Sequence, residues 1–177
     1  REWQDERVPG VATVRSVQAR WIIGSGNHTR SYLGLVDGRL VQLPLTWYAA
    51  AGKWDLSPGY DTPEQPRFGR GVEAPCLFCH NDLTPLVPGT PDAYAPPLAA
   101  GIGCNRCHGE GAAHVAARQA GQVPPAGAPD PWIYNPGRAA PDRQLDLCRT
   151  CHLQGDAAVL RPGRTWTQSD PRAPLAE

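Results

Sequence analysis

Six cysteines stand in three copies of one pattern: Cys76-Leu77-Phe78-Cys79-His80, Cys104-Asn105-Arg106-Cys107-His108 and Cys148-Arg149-Thr150-Cys151-His152. Two thiols separated by two residues can add across the two vinyl groups of one porphyrin, and the residue that follows then offers its imidazole to the iron. That is the chemistry of covalent haem attachment, and it consumes every cysteine in the chain. Zinc and disulfides are the rival uses of paired cysteines. With five histidines among 177 residues, three such pairs would all be followed by His by chance roughly 2 times in 100,000. A zinc ribbon wants an even number of pairs and has no need of a histidine at that fixed place. The expected cofactor is haem c, in three covalent copies, with His80, His108 and His152 as the proximal iron ligands.

Each iron also needs a partner on its other face. The sequence contains no Met, which rules out His/Met ligation from within the chain and makes bis-histidine ligation, with its low potential, the default. Only His28 and His114 remain for that role. His114 follows His108 by six residues, too close along one short segment to reach the opposite face of the same porphyrin, so it is expected to serve a neighbouring haem and interlock the two. His28 lies in Gly24-Ser25-Gly26-Asn27-His28, a turn whose glycines allow close approach to a flat cofactor. Two distal candidates for three irons leave one position to fill. A histidine from another polypeptide, or from a further stretch of this one, would fill it. So would an open site for substrate, or ligation by Lys53, the chain terminus or water.

The elements that must hold these residues are short. Nineteen Gly and twenty Pro interrupt the chain, while Phe is down to two, so aliphatic packing alone is a poor account of the interior. Buried porphyrin faces would supply the missing apolar area at roughly 25 cal/mol per Å². From Val11 to about Trp47 the pattern reads as β. Val11 to Ile23 alternates, Arg30 to Val36 is a second strand, and Asp37-Gly38 is a two-residue turn into Arg39 to Leu43. Pro44 ends that strand, and Trp47 to Ala51 suits a short helical turn before Gly52. Beyond Ser57 the prolines exclude long helices except over His108 to Gln119 and Arg143 to Leu153, both next to a Cys-x-x-Cys-His motif. The expected fold class is a mostly irregular, haem-packed multihaem cytochrome with short α-helices near the haem motifs and a small N-terminal antiparallel β-hairpin unit. Its expected divisions are a β-hairpin region over 1–60 that supplies a distal ligand, a trihaem-binding region over 61–160 and an extended arm or linker over 161–177.

Seventeen basic and seventeen acidic residues balance, so no global field draws the chain to nucleic acid or an anionic membrane. Lys53 is the sole lysine. The arginines that make up the rest suit haem propionates, whose carboxylates a guanidinium fork matches in two places. The six tryptophans, Trp3, Trp21, Trp47, Trp54, Trp132 and Trp166, read first as packing residues and second as partners stacked near haem. No run reaches the roughly 18 apolar residues of a membrane span. Arg1 reads as the start of a processed or partial chain. Attachment of this kind takes place outside the cytoplasm, so the expected location is periplasmic, cell-surface or extracellular.

The stretch Gly101-Ile102-Gly103-Cys104-Asn105-Arg106-Cys107-His108-Gly109-Glu110-Gly111, with His114, resembles the multihaem cytochrome c superfamily that includes hydroxylamine oxidoreductase and its tetrahaem electron acceptor. A bacterial tetrahaem-type branch is similar at Ile23-Gly24-Ser25-Gly26-Asn27-His28, Gln42-Leu43-Pro44-Leu45-Thr46-Trp47-Tyr48, Leu56-Ser57-Pro58-Gly59-Tyr60, Cys79-His80-Asn81 and Cys151-His152-Leu153. The resemblance implies bis-His irons stacked closely for relay, with His28 and His114 at positions expected to be distal ligands. Relatives commonly carry a further haem motif before the first strand, which this sequence lacks. That departure offers a second explanation of the ligand shortfall. The function expected is electron transfer through three low-potential haems, with other redox proteins or copies of the chain itself as partners that could donate a ligand in trans. Two alternatives stand beside it. One is a haem enzyme with an open axial site acting on a small nitrogen or sulfur oxide, and the other is the repeating unit of an extracellular cytochrome filament.

Overall fold

A computed structural model describes residues 2–82, 84–152, 159–165 and 170–173. The chain divides into two compact units: Arg1–Cys76 with Pro85–Leu98, and Leu77–Thr84 with Ala99–Glu177. The division falls within the first Cys-x-x-Cys-His motif.

The first unit is antiparallel β. Strands β1 (Glu2–Glu6) and β2 (Arg15–Ala19) form a hairpin in which Gln4 faces Val17, and both are buried. Strands β3 (Trp21–Ile23), β4 (Thr29–Val36), β5 (Arg39–Gln42), β6 (Leu45–Tyr48) and β7 (Lys53–Leu56) form a five-stranded sheet. The eight-residue β4 is its hub, pairing with β3, β5 and β6. Four consecutive residues of β4, Ser31 to Gly34, are buried, as expected of a strand covered on both faces. Gly34 is needed there: a Cβ would lie 2.8 Å from the Gln18 carbonyl oxygen and from a Val17 methyl.

The Asp37-Gly38 turn is as expected, with φ of 51° and 79° at its two residues, the left-handed pair that a tight hairpin requires. Several other expectations are corrected. The β pattern from Val11 is broken: strand structure begins at Arg15 and pauses at Arg20, and Glu2–Glu6 adds a strand that alternation did not single out. Of the helical turn expected over Trp47 to Ala51, only Ala49 to Ala51 turn, the Ala51 amide donating to the Tyr48 carbonyl at 3.2 Å and the Gly52 amide to the Ala49 carbonyl at 3.3 Å. Trp47 and Tyr48 end strand β6, whose cross-strand partners in β7 run from Lys53 to Leu56. Trp47 packs edge-on against Trp54, ring centres 5.6 Å apart. Cross-strand aromatic packing of this kind outweighs a local helical preference. The pairing of β5 and β6 with β4 slips by two residues around Leu43-Pro44, where proline has no N–H to give.

The core of this unit is formed by Val17, Tyr32, Val41, Leu43 and Phe68. Residues 85–98 return to it: the Leu40 amide donates to the Asp92 carbonyl at 2.9 Å, and Arg39 grips the buried Asp92 carboxylate through two nitrogens. A buried chain of hydroxyls, Ser31 to Thr46 at 2.7 Å and Thr46 to Ser57 at 2.8 Å, ends with Ser57 donating to the Leu43 carbonyl.

The second unit consists of short helices and turns. Helix α1 (Ala74–His80) enters it from the first, and α2 (Asn105–His108), α3 (Ala112–Gln119) and α4 (Pro141–His152) lie within it, with a 3-10 turn at Pro136–Arg138 before α4. The helix expected from His108 to Gln119 is shorter at its start, with His108 belonging to the preceding α2. Gly109, at φ 71°, stops α2, and α3 starts at Ala112. Helix α4 begins earlier than Arg143, with proline in its first turn where the missing N–H does no harm. Leu153, most of the expected junction after it, and part of the expected arm (166–169 and 174–177, including Trp166) lie outside the described residues.

Candidate haem-attachment site

All three Cys-x-x-Cys-His motifs lie on helices: His80 is the last residue of α1 and His108 of α2, and His152 is the last described residue of α4. At 3.6 residues per turn, the first cysteine and the histidine four places on lie one above the other, with the second cysteine beside them. Each motif shows the same graded exposure. Cys76, Cys104 and Cys148 are exposed, while Cys79, Cys107 and Cys151 are half-buried. Among the described residues no group of three or more His, Cys, Asp or Glu side chains converges in a way that could hold a metal ion. The arrangement sets two sulfurs and an imidazole along a helix face, which suits a flat group better than an ion.

The first and second motifs meet through Arg106. Its guanidinium lies over the Phe78 ring, 4.2 Å from the centroid, and donates through Nη2 to the Phe78 carbonyl. The side chain is only 6% exposed, and its Nη1 is buried with no hydrogen-bond partner. A buried guanidinium with an unused N–H is an unusual arrangement that calls for an acceptor.

Two of the expected iron ligands are held by one segment, Asp130 to Tyr134. The His108 Nδ1 lies 2.9 Å from the Tyr134 carbonyl oxygen, and the His114 Nδ1 lies 2.9 Å from Asp130 Oδ2. A carbonyl and a carboxylate accept only, so in both rings the proton sits on Nδ1 and the Nε2 lone pair is left for a metal. Helix α3 places His114 and Arg118 one turn apart on one face, and Arg118 also donates to Asp130 Oδ2. The Trp132 amide donates to Asp130 Oδ1 at 2.9 Å. Burial pushes the Asp130 carboxyl up, but the Trp132 amide, the His114 imidazole and the Arg118 guanidinium together hold it below the usual carboxylate range.

His80 and His152 are exposed at their helix ends. His28 belongs to the first unit and is exposed on the β3–β4 turn, which Gly24 shapes at φ 108° with the Thr29 carbonyl packed against it. The Lys53 ammonium pairs with Asp55 at 2.6 Å, which raises its pKa and works against its use as a neutral ligand. Asp130, the Tyr134 carbonyl and the role of Arg106 were missed by sequence reasoning. Asp130 is sixteen residues from His114, in a Pro-flanked loop that reads as punctuation.

No helix among the described residues is long and apolar enough to cross a membrane. No family model matches the chain, and no curated protein matches it. Among solved structures it is similar to outer cell wall cytochrome OcwA, with 20% identity and a TM-score of 0.37 over 59% of this chain and 22% of that one. The chain thus spans about a fifth of that structure's length, and a likeness at this level fixes neither fold nor function.

Proposed function

We propose that this chain carries three covalently bound haems, at Cys76 and Cys79, Cys104 and Cys107, and Cys148 and Cys151, and passes single electrons without bond-making chemistry of its own. The observation that carries the reading is the threefold repetition of one helical motif, with the same residue types, the same spacing and the same order of cysteine exposure. Bound at these positions, each iron supplies a reversible one-electron Fe(III)/Fe(II) couple. The residues present fit such a group. With an acceptor facing Nδ1 in both His108 and His114, each neutral ring keeps its Nε2 for iron, and the unpartnered Arg106 Nη1 has the charge and geometry to take a propionate oxygen.

In this reading His80, His108 and His152 bind iron on the proximal side, and His28 and His114 on the distal side. Five imidazoles for six positions leave one to be supplied by another redox protein, a second copy of the chain or a further stretch of it. A ligand given by a second polypeptide would tie haem binding to assembly. Covalent attachment places its work in the periplasm, at the cell surface or outside the cell.

The test is the mass and spectrum of the protein matured in a host that attaches haem covalently. Three haem increments are expected, and replacing both cysteines of any one motif by Ala should remove one of them. A colourless polypeptide of unmodified mass would end the proposal. A high-spin ferric signal that shifts on adding nitrite, hydroxylamine or cyanide would favour an open-site enzyme over a pure relay.

A further inference from the structure

We infer that Asp130 is a positioning residue that sets the potential of one particular haem, the one His114 ligates, below that of its neighbours. The inference rests on the proposed haem binding and goes beyond it by assigning the order of potentials to named side chains.

The argument begins with the two acceptors on one segment. His108 gives its Nδ1 proton to a neutral carbonyl, that of Tyr134, and His114 gives its own to a carboxylate, that of Asp130, at the same 2.9 Å. A metal-bound imidazole that donates to a carboxylate is a stronger electron donor than one that donates to a carbonyl. Stronger donation favours Fe(III) over Fe(II) and lowers the potential. The Trp132 amide fixes Oδ1, and helix α3 brings both His114 and Arg118 to Oδ2.

Arg118 is the counterweight. It shares Oδ2 with His114, lies over the Trp132 ring at 5.6 Å and donates through Nη1 to the Gln122 carbonyl at 2.6 Å. Its charge draws electron density from the carboxylate and limits how far Asp130 can strengthen the imidazole. The two side chains therefore pull the same couple in opposite directions. No proton leaves Nδ1, and one electron from an external reductant is the only thing transferred.

The experiment is a spectroelectrochemical titration of the intact haem-loaded protein and of Asp130→Asn and Arg118→Gln, with haem content checked by mass. Asp130→Asn keeps the shape of the side chain and removes its charge. It should shift the lowest of the three steps upward by at least tenfold in the Fe(III)/Fe(II) equilibrium, which is about 59 mV for one electron. Arg118→Gln should move that same step downward. The low-spin ferric resonance of one haem should change in both variants while the other two hold. The inference is overturned if every midpoint in Asp130→Asn matches the parent, if the two variants shift in the same direction, or if all three steps move equally. Should Asp130→Asn fold poorly, Arg118→Gln alone decides by the sign of its shift. A preparation without bound haem would instead overturn the proposed function itself.

Discussion

The two units are built on opposite terms. In the first, Leu40, Leu43 and Tyr60 are at most 1% exposed, and nine hydrophobic side chains from Val17 to Val72 are buried. Among the described residues of the second, only Leu77 and Ala117 are buried hydrophobics, and the twelve-residue α4 buries none. A helix that short, with only a half-buried face along Arg143, Leu147 and Thr150, is marginal in water. The difference is that one half of this chain has an interior of its own, while the other, in the proposed reading, presents its helices to haem. Along α4, Leu145, Cys148 and His152 fall on one face, and Leu145 is 53% exposed.

The largest effect expected follows directly. In polypeptide made without haem attachment, amides of α3 and α4 should exchange at nearly the rate of an unfolded chain. Those of β4 should stay protected by a factor on the order of 1,000 or more. Hydrogen exchange read by mass spectrometry or NMR decides it. If α3 and α4 prove as well protected as β4 in the haem-free chain, the second unit has a stability of its own and the contrast fails.

What the sequence made legible follows the same line. The Asp37-Gly38 turn was readable because its signal is local: two residues that tolerate positive φ between two runs of strand formers. Of the helices that carry the motifs only α4 was anticipated; α1 and α2 were not, since four to seven residues give no periodicity to read. The strand Glu2–Glu6 was not, because its pairing with Arg15–Ala19 is made across a loop and its alternation is mostly polar. Nor was the return of residues 85–98, where the decisive contact joins Arg39 to Asp92, fifty-three positions away. At the site, the Cys-x-x-Cys-His residues and their spacing were evident, while Asp130 was not. Its part depends on α3 turning His114 and Arg118 toward a loop that no periodicity announces.

A pair of truncations sharpens the comparison at the next level down. Leu43 is fully buried among Val17, Tyr32, Val41 and Phe68, so Leu43→Ala should lower the stability of the first unit by about 2–5 kcal/mol. Leu145→Ala should change the haem-free chain by less than about 0.5 kcal/mol, the usual range for an exposed side chain. In the loaded protein it should lower the stability of the second unit by about 2 kcal/mol, because the same leucine then loses cover over an apolar face. Denaturation followed by strand-side tryptophan fluorescence and by the haem bands separates the two units. Equal sensitivity of Leu145→Ala with and without haem would mean that the α4 face covers nothing.

The smallest effect comes from the most conventional feature of the first unit. Tyr60 is fully buried, and its hydroxyl donates to the Gln42 carbonyl at 2.6 Å. Burial pushes its phenol up to about 12, against the pull of the neighbouring Arg70. A folded-state pKa above the unfolded value near 10 means that the fold favours the protonated form. The contribution is whole below about pH 10 and is lost as pH rises toward about 12. Tyr60→Phe should therefore lose about 1 kcal/mol at neutral pH, from the unmade hydrogen bond and the orphaned carbonyl. It should also show a shallower decline through the alkaline range. Some decline should persist, since burial raises the Tyr94 phenol as well, whose hydroxyl donates to the Val72 carbonyl. Urea midpoints of the first unit, taken near neutrality and again at about pH 11, supply the measurement. Parallel losses in parent and variant across that interval would show that the alkaline sensitivity of this core lies elsewhere, and would remove Tyr60 from the account of how the first unit stands without a cofactor.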